Sequence, residues 1–453
     1  MDKYHGIRIA ESGGLEGLSL PGGVQLALDD LAGSVREGLL ALSVGVGLKV
    51  LDELLEEELV ALVGPKGCHD PARSANRHGS RAGRVVLGGR KIAVRRPRAR
   101  SREGGELPLR TYAHFADDDL LCERTVETML AGLSSRRHRR ALEPTGTVDR
   151  SVSKSAVSRR FVARTRRCLA ELMARPVPDD LLVLMLDGVV LAGHTCLCAL
   201  AIRADGTKVP LGLWEGASEN AAVCRRALAD LGERGLSAER GLLVVVDGSK
   251  ALRSAVGEAL GARAALQRCR RHKEQNVLGH LPEAERPWVK RKLREAWAAE
   301  RAELAERRLH ELARALEAKR PGAAASLREG LAETLTITRL GVRSDSTLGR
   351  TLQTTNPIES MLSICRERAR NVKRWRGGEM ALRWTAAGML DAERSFRRVK
   401  GFRGLPQLAA ALHRHAADVG EKEVKDFRTA ARSVVEGRPK FHRGRDNLVR
   451  RPT

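Results

Sequence analysis

Aromatic residues are scarce in this chain: five Trp, two Tyr and six Phe make up 3% of 453 residues. Modules that hold nucleic acid by stacking bases need aromatic platforms, so the scarcity argues against that class. Cysteine is sparse as well. Cys68, Cys122, Cys168, Cys196, Cys198, Cys224, Cys269 and Cys365 form no pair of Cys-x-x-Cys knuckles. This spacing argues against a disulfide framework or a zinc ribbon. Cys196 and Cys198, two apart in a strand-like run, share one face and read as core filler. No stretch approaches the roughly 18 apolar residues of a membrane span. The uncharged run 17–28 is broken by Pro21-Gly-Gly, and the run 38–48 begins too far in for a signal peptide. A cytoplasmic protein with no membrane partner is expected.

Acids are outnumbered: 56 Asp and Glu stand against 81 Lys and Arg, a net charge of +25. Solubility alone needs far less charge. An excess of this size attracts polyanions, and its Arg and Lys suit the phosphates of double-stranded DNA.

Residues 1–22 are Gly-rich and aperiodic. From Val24 to Val63 apolar residues recur at helical spacing, which predicts a helical hairpin or dimerisation surface, with packing inside one chain as the plainer reading. Between Ala72 and Arg102 there are eleven Lys or Arg and no acid. Within that stretch the pattern predicts two short strands around Gly88-Gly89, a basic β-hairpin suited to a phosphate backbone; a basic linker is the alternative. Helices are expected at Asp119–Leu133, Arg136–Glu143 and Ser153–Met173, with a Pro144-Thr-Gly-Thr turn between the last two. The third carries Lys154, Ser155, Ser158, Arg159 and Arg160, while Val157, Phe161 and Val162 can face a core. That is the character of a recognition helix in a helix-turn-helix, with DNA-contacting residues at its start.

After Pro176 and Pro178 the pattern turns α/β. Strands are expected at Leu181–Leu191, His194–Arg203, Lys208–Trp214, Gly241–Val246 and Ala264–Arg268, and helices at Glu219–Gly232 and Ser249–Leu260. Three consecutive strands followed by alternating helix and strand is the order of an RNase H-like fold. Residues 273 to about 340 read as an α-helical insertion and Gly341–Thr355 as a polar loop. Helices are expected at Pro357–Arg370 and Glu379–Phe396, before a basic tail. These patterns divide the chain into a helical region (1–65), a basic β-hairpin segment (66–115), a helix-turn-helix-like DNA-binding domain (116–175), the first part of an α/β catalytic domain (179–272), the insertion (273–350), the second part of that domain (351–400) and a basic C-terminal region (401–453).

Three acids stand out. Asp187 and Asp247 each follow an apolar strand run and precede Gly. A carboxylate at the end of a buried strand loses hydration at a cost unless it meets a cation. Two on neighbouring strands can converge on Mg²⁺, which favours carboxylate oxygen. Asp-Gly is equally a turn dipeptide. Glu359 lies in Asn356-Pro-Ile-Glu359, which has the form of a capping box and accounts for the glutamate without chemistry. On the residues alone both readings stand.

Asp187-Gly, Asp247-Gly, Cys269-x-x-His272 and Thr354-Thr-Asn-Pro-Ile-Glu359 resemble the bacterial Mutator-type insertion-sequence transposases. So do the blocks Gln267-Arg-Cys-Arg-Arg-His-Lys-Glu-Gln-Asn-Val-Leu and Pro210-Leu-Gly-Leu-Trp-Glu-Gly-Ala-Ser-Glu-Asn. The likeness runs from about residue 70 to 400 in family order, with 60 positions from Asp187 to Asp247 and 112 more to Glu359. The wording Ser360-Met-Leu-Ser-Ile-Cys-Arg-Glu-Arg departs from the usual pattern, marking a divergent branch.

The resemblance implies an RNase H-like catalytic domain interrupted by a helical insertion. It implies two Mg²⁺ ions, with Mn²⁺ as a substitute, held by Asp187, Asp247 and Glu359. It further implies cleavage at terminal inverted repeats and joining to target DNA by a homodimer or higher homo-oligomer associated with the nucleoid. Cys269 and His272 lack the other half of a zinc site and are carried over as a brace behind the metal ligands; a packed Cys beside a surface His is the plain alternative. Arg366, Arg370, Lys373 and Arg374 lie near one helical face and are read as DNA contacts beside the metals; a solvated basic face is the alternative. Two rival functions remain: a repeat-binding protein without chemistry, and a metal nuclease that does not join strands.

Overall fold

The computed structural model describes residues 45–68, 73–87, 90–138, 153–191, 193–218 and 220–436. They fall into two units, the first holding most of the chain up to Phe161 and the second holding most of the chain beyond it.

In the first unit, residues 45–63 are helical (α1). Leu51, Leu55, Leu59 and Val63 repeat every four positions, so one stripe of α1 is apolar. That stripe is buried against a hairpin of β1 (Ala75–Leu87) and β2 (Arg90–Ser101) through Val85, Ala75 and Ala99. Packing within the chain therefore accounts for this stripe, while Val46, Val50, Leu54 and Leu62 stay exposed. The strands are antiparallel with Leu87 opposite Arg90, and they run longer than their apolar alternation suggested. A two-residue β3 (Glu106–Leu107) extends the sheet, and Glu106 bridges Arg96 and Arg98. Helices α2 (Arg110–Ala116) and α3 (Asp118–Leu130) come next. Of the expected Arg136–Glu143 helix only 136–138 are described, the first two as a turn and His138 as 3-10 helix, and the Pro144 turn after it lies outside the described residues, as do residues 1–44. Helix α4 (Lys154–Ala174), which belongs to this unit up to Phe161 and to the second beyond it, forms as expected, with Val157 and Phe161 buried.

The second unit is built on a five-stranded sheet in the order β6-β5-β4-β7-β8. Strands β4 (Leu181–Leu191), β5 (His194–Arg203) and β6 (Lys208–Glu215) form the antiparallel meander. Strands β7 (Leu242–Val246) and β8 (Ala264–Arg268) add in parallel beside β4. Their continuous apolar runs reflect burial on both faces. Leu184 and Leu186 of β4 and Leu242, Val244 and Val246 of β7 face α5 (Ala221–Glu233) and α6 (Lys250–Leu260). The period of two turns Val183, Met185, Leu243 and Val245 to the opposite face. Helices α13 (Asn356–Ala369) and α14 (Gly378–Arg394) lie against β4 and against β5 and β6, respectively.

Between β8 and α13 the chain is helical, as expected: α7 (Arg270–Gly279), α8 (Arg286–Trp297), α9 (Ala302–Glu317), α10 (Pro321–Arg328) and the short α11 (Thr336–Arg339). Val277, Val289, Leu293, Leu309 and Leu327 close a second core of their own. Two expectations are corrected. The polar loop before Thr355 contains α12 (Thr347–Leu352), started by the Ser346 hydroxyl capping Gly349 N–H at 2.9 Å. The basic C-terminal region contains α15 (Leu405–Glu436), whose Leu405, Leu408, Leu412 and Ala416 are buried. Those four recur at helical spacing inside a charged composition that hid them.

Candidate active site

Strand register brings the first two acids together. Leu186 of β4 is paired in parallel with Val246 of β7, and Asp187 and Asp247 are the next residue of each. Alternation puts Asp187 on the face opposite the α5–α6 core, the face that α13 covers and from which Glu359 comes. The two Asp-Gly pairs differ locally. Asp187 is not at a strand end: β4 runs on through Gly188, opposite Leu197, so the turn reading fails there. At Asp247 the strand does end, and Gly248 takes φ 110°, where a Cβ would collide with Arg268 Nε. Only glycine accepts that position.

Asp187 is 8% exposed and makes no ion pair among the described residues. Its Oδ1 accepts the Gly188 N–H at 2.8 Å. Burial pushes its carboxyl up to about 6; Gly188 N–H and His272 oppose the rise, while the charges of Asp247 and Glu359 add to it. Asp247 is held on both oxygens, by Ser249 N–H at 2.9 Å and the Ser218 hydroxyl at 3.0 Å.

The capping box expected around Glu359 does not form. Thr355 occupies the N-cap position, and Asn356 is already the first helical residue. Glu359 thus lies a position beyond the box, and its side chain is free for other partners. Its Oε1 accepts the Thr355 hydroxyl at 2.6 Å, and its Oε2 lies 3.4 Å from Arg271 Nη1.

Cys269 and His272 flank the same point. Cys269 Sγ, a ring nitrogen of His272 and a carboxylate oxygen of Glu359 lie within 4.8 Å of one another. Cys269 is fully buried, and Thr355 Oγ1 lies 3.5 Å from its sulfur. Burial raises the thiol, but the His272 ring and the Thr355 hydroxyl outweigh it, so the net displacement is downward. The same thiol lifts His272 to about 9 against the effect of burial. Cys269 is thus buried, and His272 beside it is partly buried.

Sequence reasoning missed the residue that ties these elements together. Arg270 is 4% exposed and donates to Thr334 O, Trp297 O, Thr338 Oγ1, Ser344 Oγ and Gln353 Oε1. Its N–H bonds Gln353 O at 2.9 Å. Three residues after Gln353 the chain enters α13. A buried guanidinium with its fork fully engaged fixes both partners in register. Thr355, Ser218 and Arg271 were also missed. The sequence signal was the two family blocks, which contain Ser218, Arg270 and Arg271 without showing what they touch.

Among the expected DNA contacts, Lys154, Ser155, Ser158 and Arg159 are exposed at the start of α4, and Arg160 is half-buried. Arg366, Arg370, Lys373 and Arg374 are all exposed near Glu359 in sequence, yet they do not share a helical face. Helix α13 ends at Ala369, and Lys373 and Arg374 lie in the irregular link to α14. Like charges at Arg366, Arg370 and Arg374 repel at helical spacing, and Asn371 turns away to donate to Gly132 O at 3.1 Å.

Among the described residues the group of potential metal donors within 4.8 Å of one another is Cys269, His272 and Glu359, which Asp187 and Asp247 do not join. The carboxylates of Asp187, Asp247 and Glu359 are oxygen donors of the kind a hard divalent cation prefers, each oriented by hydroxyl or amide bonds. No helix among the described residues is long and apolar enough to cross a membrane.

Residues 32–398 match the family described as "Transposase, Mutator family". The chain is 33% identical over 177 residues to the transposase for insertion sequence element IST2 of Acidithiobacillus ferrooxidans, covering 39% of this chain and 58% of that protein. It is 30% identical over 251 residues to the transposase for IS6120 of Mycolicibacterium smegmatis, covering 54% and 75%. It is 27% identical over 348 residues to the transposase for ISRM5 of Rhizobium meliloti, covering 75% and 84%. With a family match across most of its length, the chain belongs to the Mutator family of transposases.

Proposed function

We propose that this chain is the DDE transposase of an insertion sequence, binding terminal inverted repeats and catalysing metal-dependent DNA cleavage and strand transfer. One observation supports the reading above the others: Asp187 and Asp247 follow directly on the paired residues Leu186 and Val246 of neighbouring parallel strands. The sheet with its helical insertion then corresponds to an RNase H-like catalytic domain, with the basic hairpin and the α3–α4 region as DNA-binding segments.

Asp187, Asp247 and Glu359 would hold two Mg²⁺ ions, with Mn²⁺ as a substitute. When bound, such a pair supplies charge stabilisation to the attacking and leaving oxygens of an in-line displacement at phosphorus. The protein's own part is positioning. Ser218 and Ser249 fix the rotamer of Asp247, Gly188 N–H that of Asp187, and Thr355 that of Glu359. Arg271 brings a positive charge to the mouth of the site. In the first reaction water attacks phosphorus and the 3′-oxygen of the element end leaves, taking a proton. In the second that 3′-hydroxyl attacks a target phosphate and displaces another 3′-oxygen. Neither needs a covalent protein–DNA intermediate. Bringing two element ends together requires at least two protomers, so we propose a homodimer or larger homo-oligomer, acting on DNA in the cytoplasm at the nucleoid.

The test is a reaction of labelled inverted-repeat ends with a target plasmid. Wild type is expected to release 3′-OH ends and join them in Mg²⁺, and Asp187→Asn, Asp247→Asn and Glu359→Gln to bind the ends but do neither. Cleavage that survives all three substitutions would overturn the reading. Cleavage without joined product from pre-cut ends would favour a nuclease.

A further inference from the structure

A cleft of about 860 Å³ opens beside Glu359, between α7, α8 and α12. One wall is α7, where Arg271 both lines the cleft and reaches Glu359 and Asn356, each at 3.4 Å. The facing wall is α8, with Lys290 and Arg294, and Arg350 of α12 stands at the end. Its charge is positive after pairing. Glu274 is shared by Lys290 at 3.3 Å and Arg294 at 3.2 Å, so one acid answers two cations. Asp345 is occupied by a fork from Arg343, which does not line the cleft. Arg350 makes no ion pair among the described residues.

We infer that this cleft takes the backbone of a single DNA strand, the one that adjoins the phosphate held at Asp187, Asp247 and Glu359. The inference rests on the proposed function and deepens it by assigning a path to the strand. Phosphates follow one another along a strand at every nucleotide, ~3.4 Å apart in projection on the helix axis, so a strand with a phosphate at the triad carries the next ones across the adjoining surface. The cleft is the adjoining space, and it is lined with the opposite charge. Its volume lies within the range of sites for small ligands, about 300–1,000 Å³, whereas a duplex presents two backbones across a groove ~12 Å wide. A strand unpaired where it enters fits this space. The lining recognises backbone and not base. Trp297 is the one aromatic residue of the wall, and it is 6% exposed, its Nε1 donating to Thr334 at 3.2 Å and its ring covered by Arg270. No stacking platform is offered, so binding here carries no sequence preference.

The test compares full-length wild type with an Arg294→Ala/Arg350→Ala double variant, both in an Asp187→Asn background and without metal, so that binding is read apart from chemistry. The probes are a mixed-sequence duplex with a 3′ single-stranded overhang and its blunt counterpart, titrated at several salt concentrations. For the overhang, the slope of log affinity against log salt should flatten by about 0.7 for each phosphate no longer neutralised, and affinity should fall several-fold. The blunt duplex should be unaffected, and Arg314→Ala, an exposed arginine of α9 that does not line the cleft, should change neither probe. An unchanged overhang slope, or equal losses on both probes, overturns the assignment. A parallel cleavage assay of inverted-repeat ends uses protein with Asp187 intact, in Mg²⁺. Cleavage there with an unmoved slope means the cleft alone fails; a shifted slope with no cleavage there means the catalytic reading alone fails.

Discussion

Replacing Asp187 by Asn is expected to stabilise the metal-free protein while abolishing its response to Mg²⁺. The side chain is 8% exposed, and burial moves its carboxyl from 3.8 to about 6. At ~1.36 kcal/mol per pKa unit, that amounts to roughly 3 kcal/mol against the ionised form. The pKa is raised in the fold, so between these two values the folded state binds more protons than the unfolded state. Wild-type stability therefore falls as pH rises through that window, and the cost is fully present above it. Asparagine does not titrate, and its amide oxygen can still accept the Gly188 N–H. The difference between the two proteins should grow from low pH to about 3 kcal/mol at pH 8. That is several degrees of unfolding midpoint, at ~2–4 °C per kcal/mol for a domain of this size. Mg²⁺ at a hundred times its Kd should raise wild type by ~2.7 kcal/mol and the variant not at all. Thermal unfolding in EDTA and in Mg²⁺, across pH 4 to 8, reads all of this. An Asn variant less stable than wild type in EDTA at pH 8, or equal Mg²⁺ shifts in both, would refute the reasoning.

Other substitutions probe the scaffold. Arg270→Met strands acceptors on Trp297, Thr334, Thr338, Ser344 and Gln353; it should cost about 3–5 kcal/mol in urea unfolding, with Arg270→Lys recovering part. Gly248→Ala demands φ 110° and a Cβ in collision with Arg268 Nε; a loss of about 1–3 kcal/mol and at least a tenfold drop in end cleavage are expected. Lys273 is fully buried, donating to Ser326 O and Glu329 O, and burial, with Arg268 adding, lowers its amine to about 8. Because the fold holds fewer protons than the unfolded chain between about 8 and 10.5, its contribution makes stability rise with pH there, by up to roughly 3 kcal/mol. Urea titrations of wild type and Lys273→Met at pH 7.5 and 10 should show that slope only in wild type.

Strands β4 to β8 were legible because buried strands write themselves as short apolar runs, and the acids after Leu186 and Val246 interrupt those runs. Glu359 was legible only through resemblance, since its surroundings mimic a capping box that Thr355 pre-empts by taking the N-cap. Arg270 could not be read from sequence. Its partners are carbonyls and hydroxyls 27 to 83 residues away, and no local pattern marks an acceptor. The basic face expected of Arg366 to Arg374 does not form for the converse reason: helical spacing does not carry past Ala369, where the helix ends.

Whether three carboxylates share metal is tested most directly by anomalous diffraction from crystals soaked in Mn²⁺. The expected result is manganese bridged by oxygens of Asp187, Asp247 and Glu359 at about 2.1 Å. An ion held by Cys269 and His272 with Asp187 uninvolved, or no ion at the three acids at saturating Mn²⁺, would contradict it.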